Sequence, residues 1–177
     1  MKGRLFCFRF RSCLSKIPGQ KLIVQGLKYR GDAVMEESSL RVLVVDDFEQ
    51  WRRVVRTALR TKLGLEVWEE AADGLEAVQK AKVLQPDLVV LDIGLPTLNG
   101  IEAARRIRNV SPKSKILFLT ENRCCEVADA ALQEGASGFV VKSAFTSELI
   151  PAVESVLEGK PFLSAKLTAV TIQPQMA

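Results

Sequence analysis

Asp46 and Asp47 close the run "RVLVVDD", Asp92 closes "LVVLD", Thr120 closes "KILFLT" and Lys142 closes "GFVVK". Three carboxylates, a hydroxyl and an ammonium thus stand at the ends of four apolar runs. Adjacent carboxylates repel, and burying either is costly unless a cation or hydrogen bond offsets it. Hard oxygen ligands that leave coordination positions to water suit Mg²⁺, and those positions accept phosphoryl oxygens. Lys142 would supply charge to another oxygen and Thr120 a hydroxyl donor. The chemistry these types imply is phosphoryl transfer onto a carboxylate, driven by positioning and charge neutralisation. Each residue also has a plain structural role open to it. The acidic pair could cap a helix N-terminus, Lys142 could be a solvated charge, and Thr120 a strand-end hydroxyl. Their joint occurrence at four strand ends favours a site.

The elements that must position these residues follow from periodicity. Apolar runs at 41–45, 65–71, 88–92, 115–120 and 138–142 alternate with helical patterns. Strict alternation of this kind predicts βα units around a parallel sheet. The expected fold is a doubly wound five-stranded α/β sheet of flavodoxin-like order 2-1-3-4-5, with helices on both faces. In "EQWRRVVRTALRTKL", Trp51, Val54, Val55, Ala58 and Leu59 share one helical face while the arginines lie elsewhere. The runs 42–45 and 88–91 are apolar throughout, as central strands covered on both sides should be. The run at 65–71 carries Glu66, Glu69 and Glu70 and reads as an edge. In such a sheet the ligand crevice lies at the carboxyl ends of the strands, where the listed side chains meet.

Composition narrows the alternatives. The 177-residue chain contains no histidine, which removes Ser-His-Asp and Cys-His catalysis and any His-ligated zinc site. Cys7, Cys13, Cys124 and Cys125 do not form paired CxxC spacings and read as reduced cytosolic thiols. The net charge of +4 is uneven: residues 1–34 carry eight Lys or Arg against Asp32, and the remainder is net acidic. The basic excess lies in the leader, so the domain has no nucleic-acid footprint of its own. No apolar stretch is long enough to span a membrane, and the expected location is cytoplasmic. Residues 1–39 read as a basic leader. Phe6, Phe8 and Phe10 alternate with Arg9 and Arg11, as in a basic membrane anchor, but Gly19, Gly26 and Gly31 oppose one long helix. The readings preferred are disorder, or a translation start at Met35.

Residues 40–158 resemble the receiver domain of bacterial two-component response regulators. "VDDFEQWRRVV" is similar to the first strand and helix of the chemotaxis receiver. "VVLDIGLPTLNGIEAARRIR" carries the phosphoacceptor pattern, an Asp followed by Pro four residues on and Gly eight on. "ILFLT" and "GASGFVVKS" resemble the strands with the switch threonine and the lysine. The resemblance implies that Asp92 accepts the phosphoryl group. Mg²⁺ would be held by Asp47, Asp92 and the Gly94 carbonyl, with Asp46 acting through water. Lys142 would pair with the phosphoryl group, Thr120 would swing towards it, and Phe139 would be the aromatic rotamer switch, turning inward. The donor implied is a sensor histidine kinase or phosphotransfer protein, and the reader an unknown downstream protein. Homodimer formation stays open. The domain would be no independent enzyme, catalysing only its own phosphorylation and dephosphorylation.

"EGKPFLSAKLT" resembles the linker after receivers of the NarL/FixJ subclass, where a LuxR-type helix-turn-helix follows. Residues 159–177 read as a truncated linker, so the chain is either a stand-alone receiver or a DNA-binding regulator without its output, and no DNA binding by this chain is expected. A Mg²⁺-dependent phosphohydrolase of the haloacid-dehalogenase type needs Asp-x-Asp-x-Thr on its first strand, where this chain has "DDFEQ".

Three positions depart from the family pattern. Leu95 replaces a common Met, a mild exchange. Ser143 follows Lys142 where many receivers have Pro, often after a cis bond; before Ser a cis bond is costly. Glu121 follows Thr120 where a small residue is usual. Its carboxylate beside the pocket should hinder attacking water, so autodephosphorylation should be slow. The expected outcome for Glu121→Ala is faster loss of phosphate from the purified phosphoprotein; an unchanged half-life would remove Glu121 from the account.

Overall fold

A computed structural model describes residues 40–167. The expectations about the leader, including its anchor-like aromatics and the start at Met35, lie outside the described residues.

Six parallel strands form one sheet of order β2-β1-β3-β4-β5-β6. They are β1 (Val42–Val45), β2 (Val67–Ala71), β3 (Leu88–Leu91), β4 (Lys115–Thr120), β5 (Gly138–Val141) and β6 (Phe162–Leu163). The helices are α1 (Glu49–Leu63), α2 (Gly74–Leu84), α3 (Gly100–Val110), α4 (Cys125–Gln133) and α5 (Phe145–Leu157). The first five strands keep the expected 2-1-3-4-5 order, with β2 at the edge.

Strand periodicity divides the core into two layers. Leu43, Val45, Val89, Leu91, Ile116, Phe118, Phe139 and Val141 face the alanine-rich sides of α2, α3 and α4. Val42, Val44, Leu88, Val90, Leu117, Leu119 and Val140 face α1 and α5. Alternate residues point to opposite sides of a strand, so a strand covered on both faces must be apolar at every position. The alanines Ala77, Ala81, Ala103, Ala104, Ala128 and Ala131 are fully buried or nearly so, letting their helices lie close to the sheet. The buried stripe of α1 is narrower than its sequence suggests. Val55 and Leu59 are buried, whereas Val54 is 44% exposed.

The expected count of five strands is corrected to six. The sixth comes from residues read as linker. Phe162 N–H donates to the Ser137 carbonyl at 3.3 Å and Ser164 N–H to the Phe139 carbonyl at 2.9 Å. These bonds cover an otherwise unpaired β5 edge, the exposed backbone that sheets tend to protect. Glu148 on α5 fastens the far side, accepting from the Ser164 hydroxyl and from Ala165 N–H at 3.2 Å. Leu167 packs against the core layer that contains Phe139. A two-residue strand is too short to show a period of two, so its sequence gave no strand signal.

Chain direction creates the crevice. The chain leaves β1 for α1 on one face of the sheet, and leaves the neighbouring β3 for α3 on the other. The loops after the two strands diverge and open a cleft at their carboxyl ends, as expected where strand order reverses.

Candidate functional site

The register of the central strands delivers the acids. Val45 pairs with Leu91, and Asp92 N–H donates to the Val45 carbonyl at 2.9 Å. Asp46 and Asp92, each one residue beyond this pair, therefore emerge side by side. At the next positions across the sheet, Thr120 pairs with Val141, and Lys142 follows immediately. The tight turn of residues 142–144 starts α5 and holds Lys142 over the sheet edge.

The resulting cluster is compact. Asp46, Asp47 and Asp92 each offer a carboxylate oxygen, and these oxygens lie within 4.8 Å of one another. Lys142 Nζ donates to Asp46 Oδ2 at 2.6 Å and to Asp92 Oδ2 at 2.9 Å. Asp46, Asp92, Thr120 and Lys142 are buried, while Asp47 is exposed. Asp47, Asp92, Gly94, Thr120, Glu121 and Lys142 line a cleft of about 670 Å³, to which Phe48, Gln50, Trp51, Ile93 and Asn122 also contribute. Asp46 lies beneath its floor. The expected site residues thus converge, and Phe139 lies behind them in the core.

The capping alternative does not account for the acidic pair. The residue capping α1 is Phe48, which supplies no side-chain hydrogen bond. Asp46 Oδ1 instead accepts from Phe48 N–H at 2.9 Å, which turns the chain out of β1. Arg52 on α1 steadies the same loop. Its Nη1 donates to the Asp46 carbonyl at 2.8 Å and its Nε to Glu70 Oε2 at 3.0 Å.

The loop after β3 is folded tightly onto Asp92. Asp92 Oδ1 accepts from Ile93 N–H at 2.7 Å, and Gly100 N–H donates to the Ile93 carbonyl at 2.9 Å. A Cβ on Gly100 would stand 2.0 Å from the Asp92 carbonyl oxygen, so only glycine fits eight residues after the aspartate. Asn99 caps α3, its side chain accepting from Glu102 N–H at 3.0 Å. Between them Thr97 takes a φ of 57°. That left-handed conformation is strained for a β-branched residue, and strain of this kind gathers at functional loops. Leu95 is buried in the core. The described residues contain no cis peptide bond, so Ser143 follows Lys142 in trans.

Electrostatics leave the cluster acidic. Burial pushes the Asp46 carboxyl above its usual range, against the pull of Lys142 and the Phe48 N–H. Burial also works against the Lys142 ammonium, but its bonds to Asp46 and Asp92 prevail and its pKa is raised. One buried ammonium faces three carboxylates, so the donor set retains charge for a hard divalent cation. Asp47, Asp92 and Gly94 line the cleft, and the three clustered carboxylates fit a hard divalent cation such as Mg²⁺.

Two neighbours were not singled out as site residues by sequence reasoning. Trp51 reads as part of the α1 core stripe, yet it lines the cleft and lies under Lys142, with Nζ 5.1 Å from the ring centroid. Asn122 donates its backbone N–H to Thr120 Oγ1 at 3.3 Å. Neither carries a motif. Their positions depend on how α1 and the β4–α4 loop close over the strand ends.

Comparison with known proteins shows the family. The family model of the response regulator receiver domain matches residues 42–154, and the chain belongs to that family. Chemotaxis protein CheY of Thermotoga maritima is 38% identical over 116 residues, covering 66% of this chain and 96% of that protein. Transcriptional regulatory protein LnrK of Bacillus subtilis is 35% identical over 130 residues, covering 73% of this chain but 59% of LnrK. The chain therefore spans well under two thirds of the length of that curated regulator. A crystal structure of a LuxR-family two-component response regulator from Aurantimonas sp. SI85-9A1 superposes with a TM-score of 0.70 at 37% identity, covering 73% of this chain and 93% of that one. The CheX–CheY–BeF3–Mg²⁺ complex from Borrelia burgdorferi gives a TM-score of 0.62 at 29% identity, covering 66% and 88%. Receiver domains are phosphoacceptor signalling modules of two-component phosphorelays, and they bind Mg²⁺ at an acidic pocket. No helix among the described residues is long and apolar enough to cross a membrane.

The ion pairs yield a stability prediction. Removing one partner of a buried charge cluster typically costs about 3–5 kcal/mol. In Mg²⁺-free buffer at neutral pH, Lys142→Met should lose stability of that order in urea denaturation. A raised lysine pKa contributes stability that is present below its ordinary value of 10.5 and lost as pH rises through the raised one. The difference between wild type and Lys142→Met should therefore shrink in strongly alkaline buffer; a gap that stays constant would contradict the pairing.

Proposed function

We propose that Asp92 accepts a phosphoryl group in a Mg²⁺-dependent reaction and that its phosphorylation switches a surface read by another protein. The observation that carries this reading is the buried contact of Lys142 with Asp46 and Asp92 at the floor of the cleft, with Asp47 at its open side.

A carboxylate oxygen of Asp92 attacks the phosphorus in this scheme. The new O–P bond forms as the bond from phosphorus to the donor breaks, and the leaving group departs with the electron pair. The donor is the phosphohistidine of a sensor kinase or phosphotransfer protein. Asp47, Asp92 and the Gly94 carbonyl would hold the metal, with Asp46 behind them. When bound, Mg²⁺ supplies charge neutralisation for the acids and the phosphoryl oxygens. Lys142 stands against Asp92 Oδ2, where it can pass to a phosphoryl oxygen without crossing solvent. Positioned charge of this kind is the main means of catalysis in phosphoryl transfer.

The readout begins at Thr120. Phosphorylation adds nearly two negative charges and three acceptor oxygens. The Thr120 hydroxyl donates to one of them while still accepting from Asn122 N–H, and so draws the β4–α4 loop with it. Phe139 is already fully buried, 6.2 Å from Phe118 between ring centroids. It therefore need not turn inward, and the moving parts are Thr120 and the loop before α4. The change is a population shift between two packings of the surface formed by α4, β5 and α5. A second reading, service to a DNA-binding output, draws on the matches to LnrK and to the LuxR-family regulator.

The test is incubation with Mg²⁺ and acetyl phosphate, or with a phosphorylated kinase, followed by intact-mass measurement. Wild type should gain one phosphoryl group that needs Mg²⁺, and Asp92→Ala should gain none. Labelling that persists in Asp92→Ala, or continuous turnover of an external phosphate ester, would overturn the reading.

A further inference from the structure

Lys142 has three N–H directions. Two go to carboxylates, Asp46 Oδ2 and Asp92 Oδ2. The remaining side of the ammonium meets the Trp51 ring, whose centroid is 5.1 Å from Nζ, within cation–π range. Trp51 is itself held from behind. Its ring meets Phe145 edge-on, with centroids 5.6 Å apart and planes at 64°, and Phe145 is the first residue of α5. The Trp51 backbone N–H donates to the Phe48 carbonyl at 3.0 Å, which fixes the first turn of α1 against the acidic loop. The indole therefore joins three things: the loop after β1, the start of α5, and the lysine between them. It also forms part of the cleft wall.

We propose that Trp51 is a positioning residue for phosphoryl acceptance at Asp92, acting by holding the Lys142 ammonium in place before the donor arrives. The proposal rests on the reading of Asp92 as phosphoacceptor. A lysine is a flexible four-carbon chain carrying a strongly hydrated charge. Left without a wall, the ammonium would exchange carboxylate contacts for water. The indole face excludes that water while still attracting the charge, which carboxylates on every side could not do without adding to the repulsion in the cluster. The phosphoryl oxygens then meet a cation already in position, so little reorganisation is needed at the moment of transfer.

The test compares wild type, Trp51→Leu and Trp51→Phe; Trp51→Met takes the place of Trp51→Leu if that variant does not fold. Two readouts are taken. The first is ¹³C relaxation and chemical shift of the Lys142 ε-methylene by NMR, which needs no phosphoryl donor. The ε-methylene should be ordered and shifted by the ring in wild type, mobile and unshifted in Trp51→Leu, and intermediate in Trp51→Phe. The second is the phosphorylation rate at Asp92 against acetyl phosphate concentration, with Mg²⁺ affinity measured by calorimetry. Trp51→Leu should lower the maximal rate by about 3- to 10-fold, in line with the strength of cation–π contacts. Half-saturation by donor and Mg²⁺ affinity should stay within about 2-fold, and Trp51→Phe should restore most of the rate. An ordered Lys142 in Trp51→Leu, or an unchanged rate, overturns the proposal. So does a parallel fall of rate and Mg²⁺ affinity that Trp51→Phe does not rescue, because that is the mark of general structural damage. If wild type orders Lys142 through Trp51 but takes no phosphate at Asp92, the phosphoacceptor reading fails while the ordering of Lys142 by Trp51 stands; positioning for phosphoryl acceptance fails with that reading.

Discussion

The molecule is organised around a buried ammonium held between two carboxylates. Lys142 Nζ lies 2.6 Å from Asp46 Oδ2 and 2.9 Å from Asp92 Oδ2, and all three side chains are buried. Burying Asp46 and Asp92 beside the exposed Asp47 at one edge of a sheet would oppose folding if nothing answered them. One lysine answers part of that charge, and the remainder leaves an acidic cluster of the kind that could hold a divalent cation. The same imbalance that costs stability in the metal-free state supplies the affinity on which the proposed function depends.

Much of the surrounding architecture follows from keeping these groups together. The parallel register sets Asp46 beside Asp92 through the pairing of Val45 with Leu91. Gly100 lets the loop after β3 press against Asp92. Arg52 draws the loop after β1 towards Glu70 on the edge strand. The output side is tied to the same frame. β4 carries Thr120, and β5 carries Phe139 and leads into Lys142. Ser164, just after β6, donates to the Phe139 carbonyl, so the segment beyond α5 rests directly on the strand next to Thr120. Thr120 itself pairs with Val141 of β5, one residue before Lys142.

The alternation of apolar runs and helical faces made the sheet order legible, because central strands covered on both sides must be apolar at each position. The site was legible for the same reason: polar residues that interrupt such runs at their ends stand out, and parallel topology gathers them. What escaped notice has a physical cause in each case. β6 is two residues long and is held by backbone pairing and Glu148 rather than by a pattern. Trp51 looks like any apolar residue on an amphipathic helix, and only the approach of α5 to α1 reveals that its ring meets a charge. The burial of Phe139 depends on the rotamer its neighbours allow, which no spacing encodes.

Asp46, Asp47 and Asp92 form one acidic cluster, and the proposed function requires a divalent cation to meet its excess charge. Thermal unfolding at increasing Mg²⁺ concentration tests it most directly. A ligand bound only by the folded state stabilises by about 2.7 kcal/mol at a hundredfold excess over Kd. The melting temperature should climb with Mg²⁺, and the climb should be largely lost in Asp47→Asn, which folds because Asp47 is exposed. A wild-type midpoint indifferent to Mg²⁺, or an equal climb in Asp47→Asn, would contradict it.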